Sequence, residues 1–213
     1  MRHRTLFVTL ALQLGLIVAL QSAPVAAKTL RLVVVGDSLV AGLGLAAPQS
    51  FTGILEQKLK AKGHDLVVVN AGVSGDTAAD GLARLDWALG DGADAVILEL
   101  GANDMLRGLD PAATRKTLDE IVRRIADRKI PLLISGMRAS GNLGPDYVTA
   151  FDRIYPDLAT QYGSLLDPFY LEGVAMDPKL NQDDGIHPNA KGVIAIVSRM
   201  LPLVEALLAK AGK

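Results

Sequence analysis

The chain is predicted to fold as one α/β domain, with a five-stranded parallel sheet between two layers of helices. Three observations lead there: short β-branched apolar runs, helical stretches that alternate with them, and the absence of any linker, low-complexity tract or internal repeat. At 213 residues, half of them hydrophobic, the chain can bury one substantial core and is short for two.

Residues 1–27 stand apart from this fold. Arg2 and Arg4 precede an apolar run from about Leu6 to Leu20, and small residues follow through Val25-Ala26-Ala27. That order reads as a signal peptide cut after Ala27, leaving 28–213 as the folded domain in the periplasm or outside the cell. The run is short for an uncleaved anchor. No later stretch reads as long and apolar enough to cross a bilayer, so no integral membrane segment is expected after cleavage.

The first strand is Leu30 to Val35 (LRLVVV), which stops at Gly36; Leu66 to Asn70 (LVVVN) and Ala95 to Leu100 (AVILEL) have the same character. Ile130 to Met137 and the shorter Ser164 to Asp167 complete five, Pro131 fitting only near a strand start. Runs this apolar are expected to be covered on both faces. Helical periodicity falls at about Ser50 to Lys62, Thr77 to Ala88, Ala112 to Asp127, Asp146 to Tyr162 and Asn189 to Ala211. Each such crossover buries its own apolar stripe against the sheet, which makes the strands parallel.

Composition narrows the chemistry. A net charge of -1 supplies no basic field for nucleic acid, and aromatics at 4% offer little stacking platform. Cysteine is absent, so disulfides, thiolate metal sites and a cysteine nucleophile are all excluded. Covalent chemistry would need another nucleophile.

Open parallel sheets carry their ligand sites beyond the carboxyl ends of the strands. Those positions read Gly36-Asp37-Ser38-Leu39, Ala71-Gly72-Val73-Ser74-Gly75-Asp76 and Gly101-Ala102-Asn103-Asp104. A serine becomes a useful nucleophile only beside a base, usually histidine near neutral pH. Of three histidines, His3 lies in the leader and His64 in a surface turn after Gly63, which leaves His187 in Asp183-Asp184-Gly185-Ile186-His187-Pro188. Asp184 could hold one imidazole nitrogen and leave the other facing Ser38. The Gly75 backbone N–H and the Asn103 side-chain amide could receive a developing oxyanion. Each residue has a plainer use: a serine cap, a left-handed turn, an Asx turn, and an Asp-rich turn or calcium loop around an incidental histidine.

Taken in order, these four blocks resemble those of the SGNH (GDSL) hydrolases. The resemblance runs through nearly all of the mature chain and is nearest to the bacterial periplasmic thioesterase, lysophospholipase and arylesterase group. Supporting strings include Val69-Asn70-Ala71, Gly81-Leu82-Ala83-Arg84-Leu85, Leu98-Glu99-Leu100-Gly101, Leu106-Arg107-Gly108 and Ile154-Tyr155-Pro156. It implies a flavodoxin-like three-layer α/β/α sandwich. It also implies Ser38 as nucleophile, Asp184 and His187 completing a triad, and an oxyanion hole from the Ser38 and Gly75 N–H groups with the Asn103 amide. Neither a metal nor an organic cofactor is implied, and a monomer acting on small acyl esters or thioesters is expected. Two departures are Ala102, where many relatives carry glycine, and Met105, expected to narrow or grease the acyl pocket. The segments Met105 to Leu109 and Met137 to Tyr147 are expected to line that pocket, through Met105, Leu106, Leu109, Asn142 and Leu143.

Competing readings are acyl transfer or sugar deacetylation with the same triad, and a non-catalytic binding protein that uses the same crevice. Gly42-Leu43-Gly44 lacks the rest of a P-loop or dinucleotide fingerprint, and no Gly-x-Ser-x-Gly elbow of an α/β-hydrolase is present.

Overall fold

The computed structural model describes residues 28–90 and 92–211; the leader expected over 1–27 lies outside them. Along the chain the elements are β1 (Leu30–Gly36), α1 (Ser38–Ala41), α2 (Phe51–Ala61), β2 (Leu66–Gly72), α3 (Ala78–Ala83) and α4 (Leu85–Leu89). They continue with β3 (Ala95–Glu99), α5 (Ala102–Leu106), α6 (Pro111–Asp127), β4 (Leu132–Ser135), α7 (Pro145–Asp152), α8 (Ile154–Tyr162), β5 (Leu165–Asp167) and α9 (Ala190–Ala211).

All five strands pair in parallel in the order β2-β1-β3-β4-β5. Helices α2 and α9 pack together on one face, and α6 with α3, α7 and α8 on the other. From β1 the chain moves outward to β2 and then returns past β1 to β3. The direction of winding therefore reverses at β1 and β3, and the crevice of such a sheet opens beyond their carboxyl ends. Helix α1, after β1, begins with Ser38, and α5, after β3, carries Asn103.

The core is continuous. Leu32, Val33, Val34 and Val35 of β1 and Ala95, Val96 and Ile97 of β3 are wholly buried, as central strands of a two-sided sheet must be. β2 departs from the expectation of cover on both faces: it is an edge strand, and Val67 remains 41% exposed. Among the described residues it pairs with β1 alone, and its middle residues are only partly buried.

Two helices expected to be continuous are broken. The Thr77 to Ala88 stretch divides at Arg84, whose side chain turns inward to Asp76 and to the Gly36 and Ala71 carbonyls. Asp146 to Tyr162 divides after Asp152, because Pro156 has no N–H for the Asp152 carbonyl and its ring would strike it. The expectation about bilayer-crossing stretches also needs correction. Among the described residues α9 is long and apolar enough by length and composition, with a mean hydropathy of 1.8. Its apolar stripe of Val193, Ile196, Val197, Met200 and Val204 is buried against α2 and the sheet, so that hydropathy is a core helix's.

Candidate active site

Ser38 opens α1, a single helical turn capped by its neighbour: Asp37 Oδ1 accepts the Leu39 N–H at 3.0 Å. The Ser38 Oγ of this capped turn stands 2.9 Å from His187 Nε2. His187 is held from below by Asp184. Asp184 Oδ1 accepts the backbone N–H groups of His187 and Ile186, each at 3.0 Å, while Oδ2 lies 2.6 Å from His187 Nδ1. With Nδ1 donating to this carboxylate, Nε2 is left to accept the serine proton. The backbone N–H of His187, then that of Ile186, then the imidazole bond hold the Asp184 carboxyl down at about 2.

Gly75 and Asn103, at the other two strand ends, line the same cleft as Ser38 and His187. Gly75 sits at φ 89°, a conformation that favours glycine, and Arg107 Nη2 fixes its peptide by donating to the Gly75 carbonyl at 2.7 Å. Among the described residues neither the Gly75 nor the Ser38 backbone N–H donates to a protein acceptor. Asn103, on α5, has its Nδ2 3.0 Å from both Asp37 Oδ2 and the Asp76 carbonyl. Both amide hydrogens are thus engaged, and an incoming oxyanion must take over one of these contacts.

Ser38, Gly75, Asn103 and His187 share one open cleft of about 540 Å³. Of the residues named for the acyl pocket, Met105 and Leu106 line the cleft and Leu109, Asn142 and Leu143 do not. Leu109 instead offers its carbonyl to the Tyr147 hydroxyl at 2.9 Å, and Asn142 and Leu143 form a separate 3₁₀ turn. Their places on the wall are taken by Met137, Phe169, Leu171 and Met176. His64 lies far along the chain from this cleft, 3.7 Å from Glu205. Among the described residues no three His, Asp or Glu side chains gather as a metal-ligand set.

Four further residues frame the site, and three of them, Arg84, Glu99 and Arg107, fall within the strings quoted above without a role assigned there. Arg84 ties the ends of β1 and β2 to Asp76, its Nε 2.5 Å from that carboxylate. Arg107 holds Gly75, Gln182 holds the histidine loop, and Glu99 lies under Asp37. Only Glu99 left a clear signal: a charged residue inside the otherwise apolar run AVILEL.

A parallel α/β/α sandwich with a Ser–His–Asp hydrogen-bond chain at its switch point has the form of a serine hydrolase. The GDSL-like Lipase/Acylhydrolase family matches residues 34–193, and the chain belongs to that family. The chain is 40% identical over 196 residues to Esterase TesA of Pseudomonas aeruginosa, covering 92% of this chain and 96% of that one. It is also 40% identical over 185 residues to Thioesterase 1/protease 1/lysophospholipase L1 of Escherichia coli, at 84% and 88% coverage. Among solved structures, AlinE4, an SGNH-hydrolase family esterase, superposes with a TM-score of 0.71 at 45% identity, over 85% of this chain and 97% of that one. The protein is therefore an ester-bond hydrolase of the SGNH type.

Proposed function

We propose that this chain is an exported serine esterase that hydrolyses acyl esters or thioesters through an acyl-enzyme. The observation that carries the reading is the Ser38–His187–Asp184 chain, with contacts of 2.9 and 2.6 Å, in an apolar-walled cleft. In this reading residues 1–27 are the signal peptide and 28–213 the hydrolase domain, acting as a monomer in the periplasm or outside the cell.

Ser38 Oγ attacks the acyl carbonyl while His187 Nε2 takes its proton, and Asp184 steadies the imidazolium that results. The carbonyl oxygen becomes an oxyanion received by the Ser38 and Gly75 N–H groups and by the Asn103 amide, which exchanges its Asp76 contact for the new one. Collapse of this intermediate breaks the bond to the leaving alcohol or thiol, which departs with the proton from His187. Water then attacks the acyl-serine by the same steps and frees the acid. The Met and Phe walls favour aliphatic or aryl acyl groups, and the names of the relatives, esterase, thioesterase and lysophospholipase, support that range.

The test is release of p-nitrophenol from short and medium acyl esters, and of thiol from acyl thioesters, by the purified domain beside Ser38→Ala. Hydrolysis of both classes, abolished in the variant, is expected. Hydrolysis that persists in a folded Ser38→Ala would overturn the role given to Ser38.

A further inference from the structure

Two carboxyls meet beneath the nucleophile, and the mechanism above uses neither. Glu99, at the end of β3, is 0% exposed, and Asp37, at the end of β1, is 1% exposed. Glu99 Oε2 accepts the Asp37 backbone N–H at 3.3 Å, and Glu99 Oε1 has no hydrogen-bond partner among the described residues. Gly36 makes room for this carboxyl, since a Cβ there would stand 2.7 Å from Glu99 Oε2.

The donors are unevenly shared. Asp37 takes two, the Leu39 N–H on Oδ1 and the Asn103 amide on Oδ2, and it also faces His187. Glu99 takes one long bond. The other charged or titratable groups around the pair are Asp104 on α5, Tyr155 on α8, Tyr170 after β5 and Arg84 at the α3–α4 corner. None of them gives a hydrogen bond to either carboxyl, and the Arg84 guanidinium is spent on Asp76 and two backbone carbonyls. Two touching carboxyls without a cation cannot both stay ionised out of water.

We propose that Asp37 and Glu99 carry a single proton between them, kept on Glu99, and that ionised Asp37 is a positioning residue that holds the Asn103 amide ready for the oxyanion. One carboxylate then organises two parts of the site. Its Oδ1 caps the turn that presents Ser38, and its Oδ2 fixes the amide from the neighbouring strand end. Burial pushes Glu99 well above the usual carboxylate range and Asp37 to about 6, which agrees with this division of charge at neutral pH.

The inference rests on the oxyanion role given above to Asn103, and a double-mutant cycle separates the two. Asn103→Ala alone should lower kcat roughly a hundred- to thousandfold. Asp37→Asn, nearly isosteric, should lower kcat at least about tenfold with KM changed less than about threefold. The double variant should fall within about threefold of Asn103→Ala alone, because Asp37 acts through an amide already gone. Losses that multiply would overturn the positioning role; an Asn103→Ala loss under about tenfold would instead remove Asn103 from the oxyanion site.

A stability measurement reads the proton without using activity. Glu99 keeps in the folded chain a proton that the unfolded chain releases above its ordinary value of 4.5, so folding binds a proton and wild-type stability falls as pH rises past that point. Glu99→Gln keeps the shape and removes the linkage. Its thermal midpoint relative to wild type should therefore climb by a few degrees between about pH 5 and pH 8. Parallel curves for the two proteins would show that Glu99 holds no such proton.

Discussion

The Gln182 side-chain amide donates to the Leu43 carbonyl at 2.8 Å and to the Pro188 carbonyl at 3.0 Å. It clasps the loop that carries His187 to the segment just after the Ser38 turn, across 139 residues of sequence. The Gln182 backbone N–H adds a bond to the His187 carbonyl at 2.8 Å. The clasp thus joins the loop of the histidine to the segment of the serine, whose side chains stand 2.9 Å apart.

Gln182→Ala removes the clasp and leaves the backbone bond. The histidine loop then samples positions away from Ser38, and displacement of the base by even an ångström is costly in an acyl transfer. We expect kcat on a p-nitrophenyl ester to fall about tenfold, with the thermal midpoint moved by only a few degrees. Steady-state kinetics beside a melting curve decide it: unchanged kcat would mean that Asp184 and the Gln182 backbone bond hold the loop without the side-chain clasp.

Asp184 leads to a prediction about tautomer and pH. Asp184→Asn can still contact Nδ1 but now favours the wrong imidazole tautomer, and a loss in kcat on the order of ten-thousandfold is expected by analogy with the serine-protease aspartate. Because its carboxyl is held at about 2, below the ordinary 3.8, the stabilisation it gives the loop is complete above about pH 4 and is lost as pH falls through about 2. Thermal unfolding of wild type and Asp184→Asn should therefore differ between about pH 4 and pH 5 and converge toward pH 2. Curves that already coincide between about pH 4 and pH 5 would contradict the bonding seen around Asp184 Oδ1.

Much of this was legible because the relevant signals are local. β-branched runs such as Leu30 to Val35 and Ala95 to Glu99 report their own burial, and a strand end followed by Gly-Asp-Ser marks a turn that presents a side chain. What was missed depends on partners distant in sequence. The break at Arg84 exists because its guanidinium reaches carbonyls 13 and 48 residues away, a gain that helical periodicity does not contain. β2 reads like a central strand because Val67 to Val69 are as apolar as β1, yet its place at the sheet edge is set by the order of winding. The same holds for the cleft. Leu109 and Leu143 looked like wall residues by proximity in sequence, whereas Phe169, Leu171 and Met176 come from the segment after β5, which Arg199 on α9 ties down through Asp167 and the Phe169 and Tyr170 carbonyls.

Met176 gives the most direct handle on acyl preference. It lines the cleft while 89% exposed, beside the half-exposed Leu106 and Ile186, so its apolar surface meets water until a substrate covers it. Each acyl methylene laid against such a wall is worth up to about 0.8 kcal/mol, close to fourfold in kcat/KM. Short acyl groups, which lay down fewer methylenes, are expected to gain less from it. Met176 also holds φ at 67°, which asparagine tolerates better than most residues, so Met176→Asn removes the apolar surface without adding backbone strain. In a chain-length series of p-nitrophenyl esters, acetate and butyrate should be hydrolysed within about twofold of wild type, while octanoate and decanoate lose about three- to tenfold in kcat/KM. A uniform loss at every length would place Met176 in the support of the catalytic loop; no loss at any length would mean that longer acyl chains leave the cleft by another side.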